Sequence, residues 1–472
     1  MKPMNLLYIF ADQWRAHGIG AAGEDPVLTP NMDAFAAESM SCTNAVSTYP
    51  LCSPHRASLL TGKYPQSCGM WTNCKIGLDE VVMLRPQEVT ISDVLHEAGY
   101  DTGYIGKWHL DGSEENFHAS PSSGARYWDA YTPPGERRHH FDYWLSYGAM
   151  DKHLEPHYWK DTCEPIYPGK WSPEFETDAA IEYLEQRKND NPFCLFLSWN
   201  PPHPPYDMVP ERYMELYEGK DLPFRENVPE EWKQDPSYLK KRQEYFAAIS
   251  GLDENFGRLM DYLREKGLME NTLIVLSADH GDCMGSHGRY GKNIWYEESI
   301  RIPLYFHGPG IPAGESDVLF ASQDHMPTLL QLLGVGQPDT IEGKCLGSWI
   351  RKEETEDEPE HAYLCMFPGM PELVNPYRKL GMNPKSFGWR GIRTKTHTYV
   401  VDLGCTPGDK PKRLLYDNEA DPFQLNPKEL GPENPEAVHY DGILREYLDR
   451  LNDPFLLKQE NKTCLKCNMT TC

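Results

Sequence analysis

The fold is decided by the stretch NLLYIFADQ at residues 5–13, a short apolar run that ends in Asp12 and Gln13. Runs of this length and composition are typical of strands buried on both faces of a parallel sheet. Four further runs of the same kind lie at residues 102–105, 193–199, 272–277 and 303–306. Helical patterns alternate with them, at residues 31–40, 90–98, 173–188 and 237–266. This alternation predicts an α/β fold with a large, mostly parallel sheet sandwiched by helices.

The pattern changes after residue 350. An acidic stretch at 352–360 is followed by short strand-like runs at 362–366, 391–394, 398–402 and 414–416, and by an amphipathic helix at 436–451. We therefore predict a larger domain over residues 1–350 and a smaller C-terminal α+β subdomain over residues 351–472. The tail of the subdomain contains Cys464, Cys467 and Cys472 without a nearby His, which is one ligand short of a zinc site. A frayed tail is the favoured interpretation.

The 472-residue chain is acidic, with 46 Lys and Arg against 71 Asp and Glu and a net charge of −25. This balance argues against nucleic acids and anionic membrane surfaces as partners, because both demand a basic patch. No apolar stretch approaches the roughly 18 residues that a membrane span needs. The 13 cysteines are odd in number and scattered, which favours a reducing compartment. We expect a cytoplasmic protein if Met1 is the native start, and a periplasmic or secreted one if a signal peptide was removed. The oligomeric state stays open.

Polar side chains follow four of the apolar runs at the point where each run ends. They are Asp12 and Gln13, Lys107 and His109, Asn200 and His203, and Asp279 and His280. In an open α/β sheet, ligands bind beyond the carboxyl ends of the strands. Carboxylates, imidazoles and a lysine gathered at that edge indicate a metal and anion site, whereas one charged strand end alone would be an ordinary solvated loop.

A cysteine lies where a helix is predicted to begin. In the stretch LCSPHRASLLTG at residues 51–62, Pro54 suits the first helical turn and Gly62 the end of the helix. Cys52 then lies at or just before the N-terminus, where backbone N–H groups favour an anion and would activate a thiolate. The alternative is that Cys52 is a small buried hydrophobic residue, which is common for a lone cysteine.

The motif around this cysteine resembles that of the type I sulfatases, which depend on formylglycine. It comprises Cys52, Pro54 and Arg56, followed by Thr61, Gly62 and Pro65. Other stretches similar to the family follow in family order, at residues 12–13, 106–110, 202–204, 279–292, 296–303 and 415–422. The resemblance spans essentially the whole chain. It implies an alkaline-phosphatase-like fold, a catalytic domain over residues 1–350, hydrolysis of sulfate esters, and a maturation enzyme that converts Cys52 to formylglycine.

The resemblance also implies roles for individual residues. The metal ligands would be Asp12, Gln13, modified Cys52, Asp279 and His280. Calcium is the first choice of metal by resemblance. Manganese stays open because an imidazole admits a borderline metal better than an all-oxygen site does, and magnesium is also kept as a possibility. The catalytic residues would be Cys52, Arg56, Lys107, His109, His203 and Lys292, and the substrate-binding residues Lys107, His203, Lys292 and Asn73. In this scheme hydrated formylglycine attacks sulfur, His203 or Lys292 protonates the leaving oxygen, and His109 takes the proton that re-forms the aldehyde.

The substrate is poorly encoded in the sequence. Aromatic and basic residues concentrate between residues 127 and 159, which favours a sulfated carbohydrate over a small aryl or choline ester, although such aromatic residues are equally typical of loop packing. They are Trp128, Tyr131, Trp144, Tyr158 and Trp159, with Arg137, Arg138, His139 and His140. Two other functions stay open: a phosphonate monoester or phosphodiester hydrolase of the same superfamily, and a non-catalytic glycan-binding protein whose Cys52 is unmodified.

Overall fold

The computed structural model describes residues 3–353 and 358–457, and the strands of these residues form two sheets. The strands are β1 (Asn5–Asp12), β2 (Met40–Val46), β3 (Asp101–Lys107), β4 (Tyr143–Tyr147), β5 (Phe193–Pro202), β6 (Thr272–Ala278), β7 (Leu304–His307), β8 (Gly314–Ala321), β9 (Ala362–Met366), β10 (Trp389–Arg393), β11 (His397–Asp402), β12 (Lys412–Asp417) and β13 (Lys428–Glu429). The helices are α1 (Pro30–Ala37), α2 (Cys52–Thr61), α3 (Ile91–Glu97), α4 (Ser172–Gln186), α5 (Glu211–Met214), α6 (Glu230–Lys233), α7 (Pro236–Glu265), α8 (Glu297–Ile300), α9 (His325–Leu333), α10 (Gly347–Ile350), α11 (Pro371–Lys379) and α12 (Pro435–Arg450).

The larger sheet has the strand order β4-β3-β5-β1-β6-β7-β2-β8. Its central strands β5, β1 and β6 are parallel neighbours, and every residue of these three strands is buried. Strand β7 is antiparallel to β6 and β2 on either side of it. The predicted mostly parallel sheet is confirmed, and each of the five predicted runs is a strand of it.

The helices follow the predicted pattern with one shift. Helix α7 begins at Pro236, where the Asp235 side chain accepts a hydrogen bond from the Ser237 backbone N–H, and it packs against α4 and β5. Helix α1 ends at Ala37, earlier than the predicted boundary at residue 40. The helix ends early because Met40 already belongs to β2, which pairs with β7 and β8.

The smaller sheet is antiparallel, with the order β13-β12-β11-β10-β9. Four of its strands, β9 to β12, and helix α12 correspond to the predicted runs and to the predicted final helix. The Cys365 backbone N–H donates to the Thr48 carbonyl at 2.9 Å, so the C-terminal sheet packs directly on the segment that precedes α2. The predicted boundary at residue 350 stays a prediction, and Cys464, Cys467 and Cys472 lie outside the described residues. Among the described helices, none combines the length and the apolar character of a membrane span.

Candidate active site

Two buried carboxylates meet at the carboxyl edge of the larger sheet. Asp12 is the last residue of β1, and Asp279 directly follows β6. Because β1 and β6 are parallel and Ala11 is paired with Ala278, the two aspartates emerge side by side, and both are fully buried. Like charges this close are unfavourable without a cation, so this pair indicates a site that holds positive charge.

Gln13 is held between the aspartates and the following loop. Its backbone N–H donates to Asp279 Oδ1 at 3.1 Å, and its Nε2 donates to Asp282 Oδ2 at 2.5 Å. Its φ of 64° is in the left-handed region, which costs a non-glycine residue energy and is kept where the surroundings demand it. With Nε2 occupied by Asp282, the carboxamide oxygen of Gln13 is the atom that remains to bind a ligand.

Cys52 is the first residue of α2 and lies against these groups. Its Sγ is 3.6 Å from Asp12 Oδ1 and 3.5 Å from His280 Nε2. Ligand atoms of Asp12, Cys52, Asp279 and His280 all lie within 4.8 Å of one another, and all four residues are buried. Two carboxylates and an imidazole are a donor set that a divalent cation fits.

Three cationic side chains surround the cluster. The Arg56 guanidinium donates to Asp12 Oδ2 at 3.1 Å and to Asp279 Oδ2 at 3.0 Å, and it is fixed further by the Lys107 carbonyl and Ser198 Oγ, each at 2.7 Å. Lys107 Nζ lies 2.8 Å from Asp12 Oδ2. Lys292 Nζ lies 3.0 Å from Cys52 Sγ.

These charges set the protonation of the site. Burial raises the pKa of Asp12, but Lys107 and Lys292 outweigh that effect and hold the pKa well below its usual range. The pKa of Cys52 is likewise raised by burial and by Asp12, yet the same two ammonium groups bring it well below the ordinary thiol value. Burial and the neighbouring Asp12 raise the pKa of Asp279 to about 6. The site therefore favours an anion at residue 52 and a proton or a cation at Asp279.

The two predicted catalytic histidines follow β3 and β5. His109 is buried, its Nε2 is 3.3 Å from the Cys74 carbonyl oxygen, and burial lowers its pKa. His203 is less buried; its Nδ1 is 2.7 Å from the Pro204 carbonyl oxygen and 3.6 Å from Asp151 Oδ1. The Asn73 Oδ1 accepts from the backbone N–H of Ser53 at 3.0 Å, so this side chain supports the first turn of α2 as well as facing the cavity.

A cavity of about 400 Å³ opens above Cys52. Six predicted residues line it: Cys52, Asn73, Lys107, His109, His203 and Lys292. The other five predicted residues are buried around the base of Cys52: Asp12, Gln13, Arg56, Asp279 and His280. The structure thus gathers every predicted site residue at one place.

The aromatic segment between residues 127 and 159 is mostly a packing element, which is one of the two interpretations that the sequence left open. Trp144, Tyr158 and Trp159 are at most 1% exposed, and Trp144 belongs to β4. They do not line the cavity, and neither do Tyr131, Arg137, Arg138, His139 and His140. Trp128 is the residue of this set that lines the cavity, and it is 37% exposed. Packing accounts for most of this segment because β4 pairs with β3 and draws its neighbouring aromatic residues into the core.

Sequence reasoning missed three contributors. Lys75 and Arg289 line the cavity; Lys75 lies outside every quoted motif, and Arg289 lies within the quoted stretch 279–292 but received no role. Asp282 belongs to a quoted motif but received no role. Its Oδ1 accepts from the backbone N–H groups of Met284 at 2.7 Å and Gly291 at 2.8 Å, so Asp282 positions both Gln13 and the loop that carries Lys292.

Fold and site together define a hydrolase of the alkaline-phosphatase-like class, with its candidate active site at the carboxyl edge of the sheet. Residues 4–335 match the sulfatase family, and residues 285–427 match the C-terminal region of N-sulphoglucosamine sulphohydrolase. The chain therefore belongs to the sulfatase family, and it is a sulfuric ester hydrolase.

Its relatives cover nearly the whole chain. An endo-4-O-sulfatase of Bacteroides thetaiotaomicron is 36% identical, over 96% of this chain and 93% of that protein. An ulvan-active sulfatase of Formosa agariphila is also 36% identical, over 96% of this chain and 82% of that protein. A solved structure from a study of glycosaminoglycan metabolism by Bacteroides thetaiotaomicron has a TM-score of 0.85 and 34% identity, and the match covers 96% of this chain and 97% of that one. The predicted family, fold and enzyme class are confirmed.

Proposed function

We propose that the protein hydrolyses a sulfate ester on a glycan, using formylglycine made from Cys52 together with one divalent metal. The observation that carries this proposal is the position of Cys52 at the start of α2, where its Sγ lies within 3.6 Å of Asp12, His280 and Lys292 at the base of the cavity. A glycan substrate is supported by the names of the two relatives, an endo-4-O-sulfatase and an ulvan-active sulfatase.

The metal would be held by Asp12, Gln13, Asp279, His280 and residue 52. The fully buried carboxylates fit a hard divalent cation, because burying them unneutralised is costly. Calcium is our first choice; the imidazole of His280 keeps manganese as an alternative, and the two carboxylates keep magnesium as another. The metal would supply positive charge against the sulfate oxygens and stabilise an anionic oxygen on residue 52.

The lysines of the cavity would grip the sulfate group. A sulfate monoester presents three non-bridging oxygens that share one negative charge, and this charge repels an attacking anion. Lys107 and Lys292 both line the cavity, and each is fixed by the site's anionic groups. Their ammonium groups would neutralise the sulfate oxygens as the bond to the leaving oxygen lengthens.

Two histidines would move the protons. His203 lines the cavity and is less buried than the residues around Cys52, so it would donate a proton to the departing sugar oxygen, with Lys292 as the alternative donor. His109 lies buried beside residue 52, where it would take the proton of the second hydroxyl, so that the aldehyde re-forms as the bond to sulfate breaks and sulfate leaves. Arg56 would orient residue 52 indirectly, through the carboxylates of Asp12 and Asp279.

The test compares two buried cysteines. Cys52→Ala should abolish the release of inorganic sulfate from sulfated oligosaccharides, because it removes the attacking group and little core volume. Cys68→Ala is the matched control, since Cys68 is also fully buried but does not line the cavity. Ion chromatography measures the sulfate, and the intact mass of the peptide that contains residue 52 reports the modification. Turnover by Cys52→Ala within a few-fold of wild type contradicts the proposal, and so does an unmodified thiol in every active molecule.

A further inference from the structure

The cavity carries more positive charge than one sulfate group needs, in a protein whose net charge is −25. Its lining includes four cationic side chains and one carboxylate: Lys75, Lys107, Arg289 and Lys292, with Asp151. Lys107 and Lys292 are accounted for by Asp12 and Cys52, as described above. Lys75 and Arg289 have no carboxylate oxygen within 4.0 Å in residues 3–353 and 358–457, so two cations of the cavity wall lack an anionic partner.

Lys75 is the more unusual of the two because it is buried, with only 5% of its surface exposed. Its Nζ is 3.0 Å from the Met370 sulfur and 5.5 Å from the centre of the Trp128 ring. A thioether is a weak acceptor, and a ring face satisfies only part of an ammonium group with three donors. The Lys75 carbonyl accepts from Asn116 Nδ2 at 3.1 Å, which fixes the backbone from which the side chain reaches the cavity.

The charged surroundings of Lys75 do not remove this deficit. The carboxylate that acts on it most is Glu372, an exposed residue in the first turn of α11 that lies beyond ion-pair distance, and an ionised Cys52 acts in the same direction. Burial lowers the pKa of Lys75 to about 8 despite these groups. The ammonium is therefore still charged near neutral pH, and an anion bound in the cavity would stabilise it further.

We propose that Lys75 binds a second anionic group of the substrate, so that the substrate is an acidic glycan with a carboxylate or another sulfate ester beside the sulfate that is hydrolysed. The proposal rests on the proposed function. The cavity of about 400 Å³ has room for a sugar as well as a sulfate group. The partly exposed ring of Trp128, next to the Lys75 ammonium, offers an apolar face on which such a sugar packs.

Three matched ligands distinguish the sources of the anion. The first is a disaccharide with one sulfate and one uronic acid, the second is its methyl ester, and the third is that ester with an additional sulfate. Binding is measured by calorimetry in the full-length Cys52→Ala protein, so that the result does not depend on turnover. We expect the uronic acid or the disulfated ester to bind at least 10-fold more tightly than the monosulfated ester. Whichever of them gains the affinity identifies the anion.

The role of Lys75 is tested by adding Lys75→Met to the same protein, with Lys75→Gln as a second neutral variant. Either should reduce the affinity advantage to less than 3-fold. Lys385→Met is the control, because Lys385 Nζ also lies over a tryptophan, 4.7 Å from the Trp71 ring centre, but pairs with Glu80 and does not line the cavity. The inference is overturned if the three ligands bind equally, if none of them binds, or if the affinity advantage survives in a folded Lys75 variant. The proposed function is tested separately, because its failure would appear as an absence of sulfate release by the wild-type protein.

Discussion

Replacement of Lys292 by Met is expected to remove the charge closest to the nucleophile while preserving the fold. Lys292 Nζ lies 3.0 Å from Cys52 Sγ and 3.6 Å from Asp12 Oδ1. A methionine side chain has a similar length and fills the same space at the cavity wall. The substitution therefore tests the ammonium group rather than the packing of the loop that carries it.

The expected loss follows from the geometry. Two unit charges separated by 3.0 Å interact by about 5.5 kcal/mol at an effective dielectric constant of about 20, which is an upper limit for the contribution of the ammonium. Removal of one donor from a preorganised anion-binding site costs about 2.7–4 kcal/mol in measured cases. We expect kcat/KM for a sulfated oligosaccharide to fall by about 100- to 1,000-fold, mainly through kcat, because the interaction strengthens as charge develops in the transition state.

The assay is steady-state release of inorganic sulfate, normalised to the fraction of protein modified at residue 52. Metal content is measured in parallel and should equal that of wild type, because Lys292 is not among the proposed ligands. Lys385→Met is again the control, since its ammonium pairs with Glu80 outside the cavity. A decrease smaller than 10-fold in fully modified, metal-loaded Lys292→Met protein would refute the assignment of Lys292 to sulfate binding.

Three further outcomes are expected. Exhaustive chelation should abolish sulfate release, and calcium or manganese should restore it; full activity in protein shown to be metal-free by elemental analysis contradicts the metal site. Aryl sulfate should be cleaved at least about 100-fold more efficiently than the matching phosphonate or phosphodiester, a difference of about 2.7 kcal/mol in transition-state stabilisation. The reason is that the second organic substituent of a phosphonate or phosphodiester would crowd Lys107 and His109. An equal or reversed preference favours the phosphonate hydrolase. Glu176 is fully buried, and burial raises its pKa well above the usual value although Tyr158 donates to it at 2.8 Å. Its contribution to stability is therefore complete below the unfolded pKa of about 4.3 and decreases as the pH rises above it. The stability of Glu176→Gln relative to wild type should accordingly increase with pH above about 5, by at most about 1.4 kcal/mol per pH unit, as measured by urea unfolding; a pH-independent difference contradicts a raised pKa of Glu176 in the folded protein.

Whether a strand can be predicted from the sequence depends on its position in the larger sheet. Strands β1, β5 and β6 are buried along their whole length, so their sequences are continuous apolar runs and are recognised directly. Strand β8 forms one edge of the sheet, and the first half of its sequence GESDVLFA is partly exposed and polar. Strand β2 carries Ser41, Thr43 and Asn44 at only partly buried positions. Such strands are stabilised by pairing with neighbours distant in the chain, which local composition does not reveal.

The same distinction explains which site residues the sequence predicts. Asp12 and Asp279 end strands that are themselves recognisable, and a parallel pair of strands brings their ends together. Cys52 and Arg56 belong to a motif with strict local spacing. Lys75 lies in the long connection between α2 and α3, and it reaches the cavity through contacts with Met370 and Trp128, which are remote in sequence. Its importance becomes visible only once those contacts are known.

Net charge and local charge give opposite indications for the partner of this protein. A net charge of −25 argues against polyanions as partners of the surface as a whole. Net charge acts through long-range attraction or repulsion, which salt weakens. The cavity is a separate environment, because four cationic side chains and a single carboxylate face a small, partly enclosed space. Charges within such a space are screened less than surface charges, so the cavity can select an anionic sugar although the surrounding surface repels it. An acidic protein with a cationic cavity therefore favours a substrate recognised by a few charges at defined positions over one attracted by the surface at large.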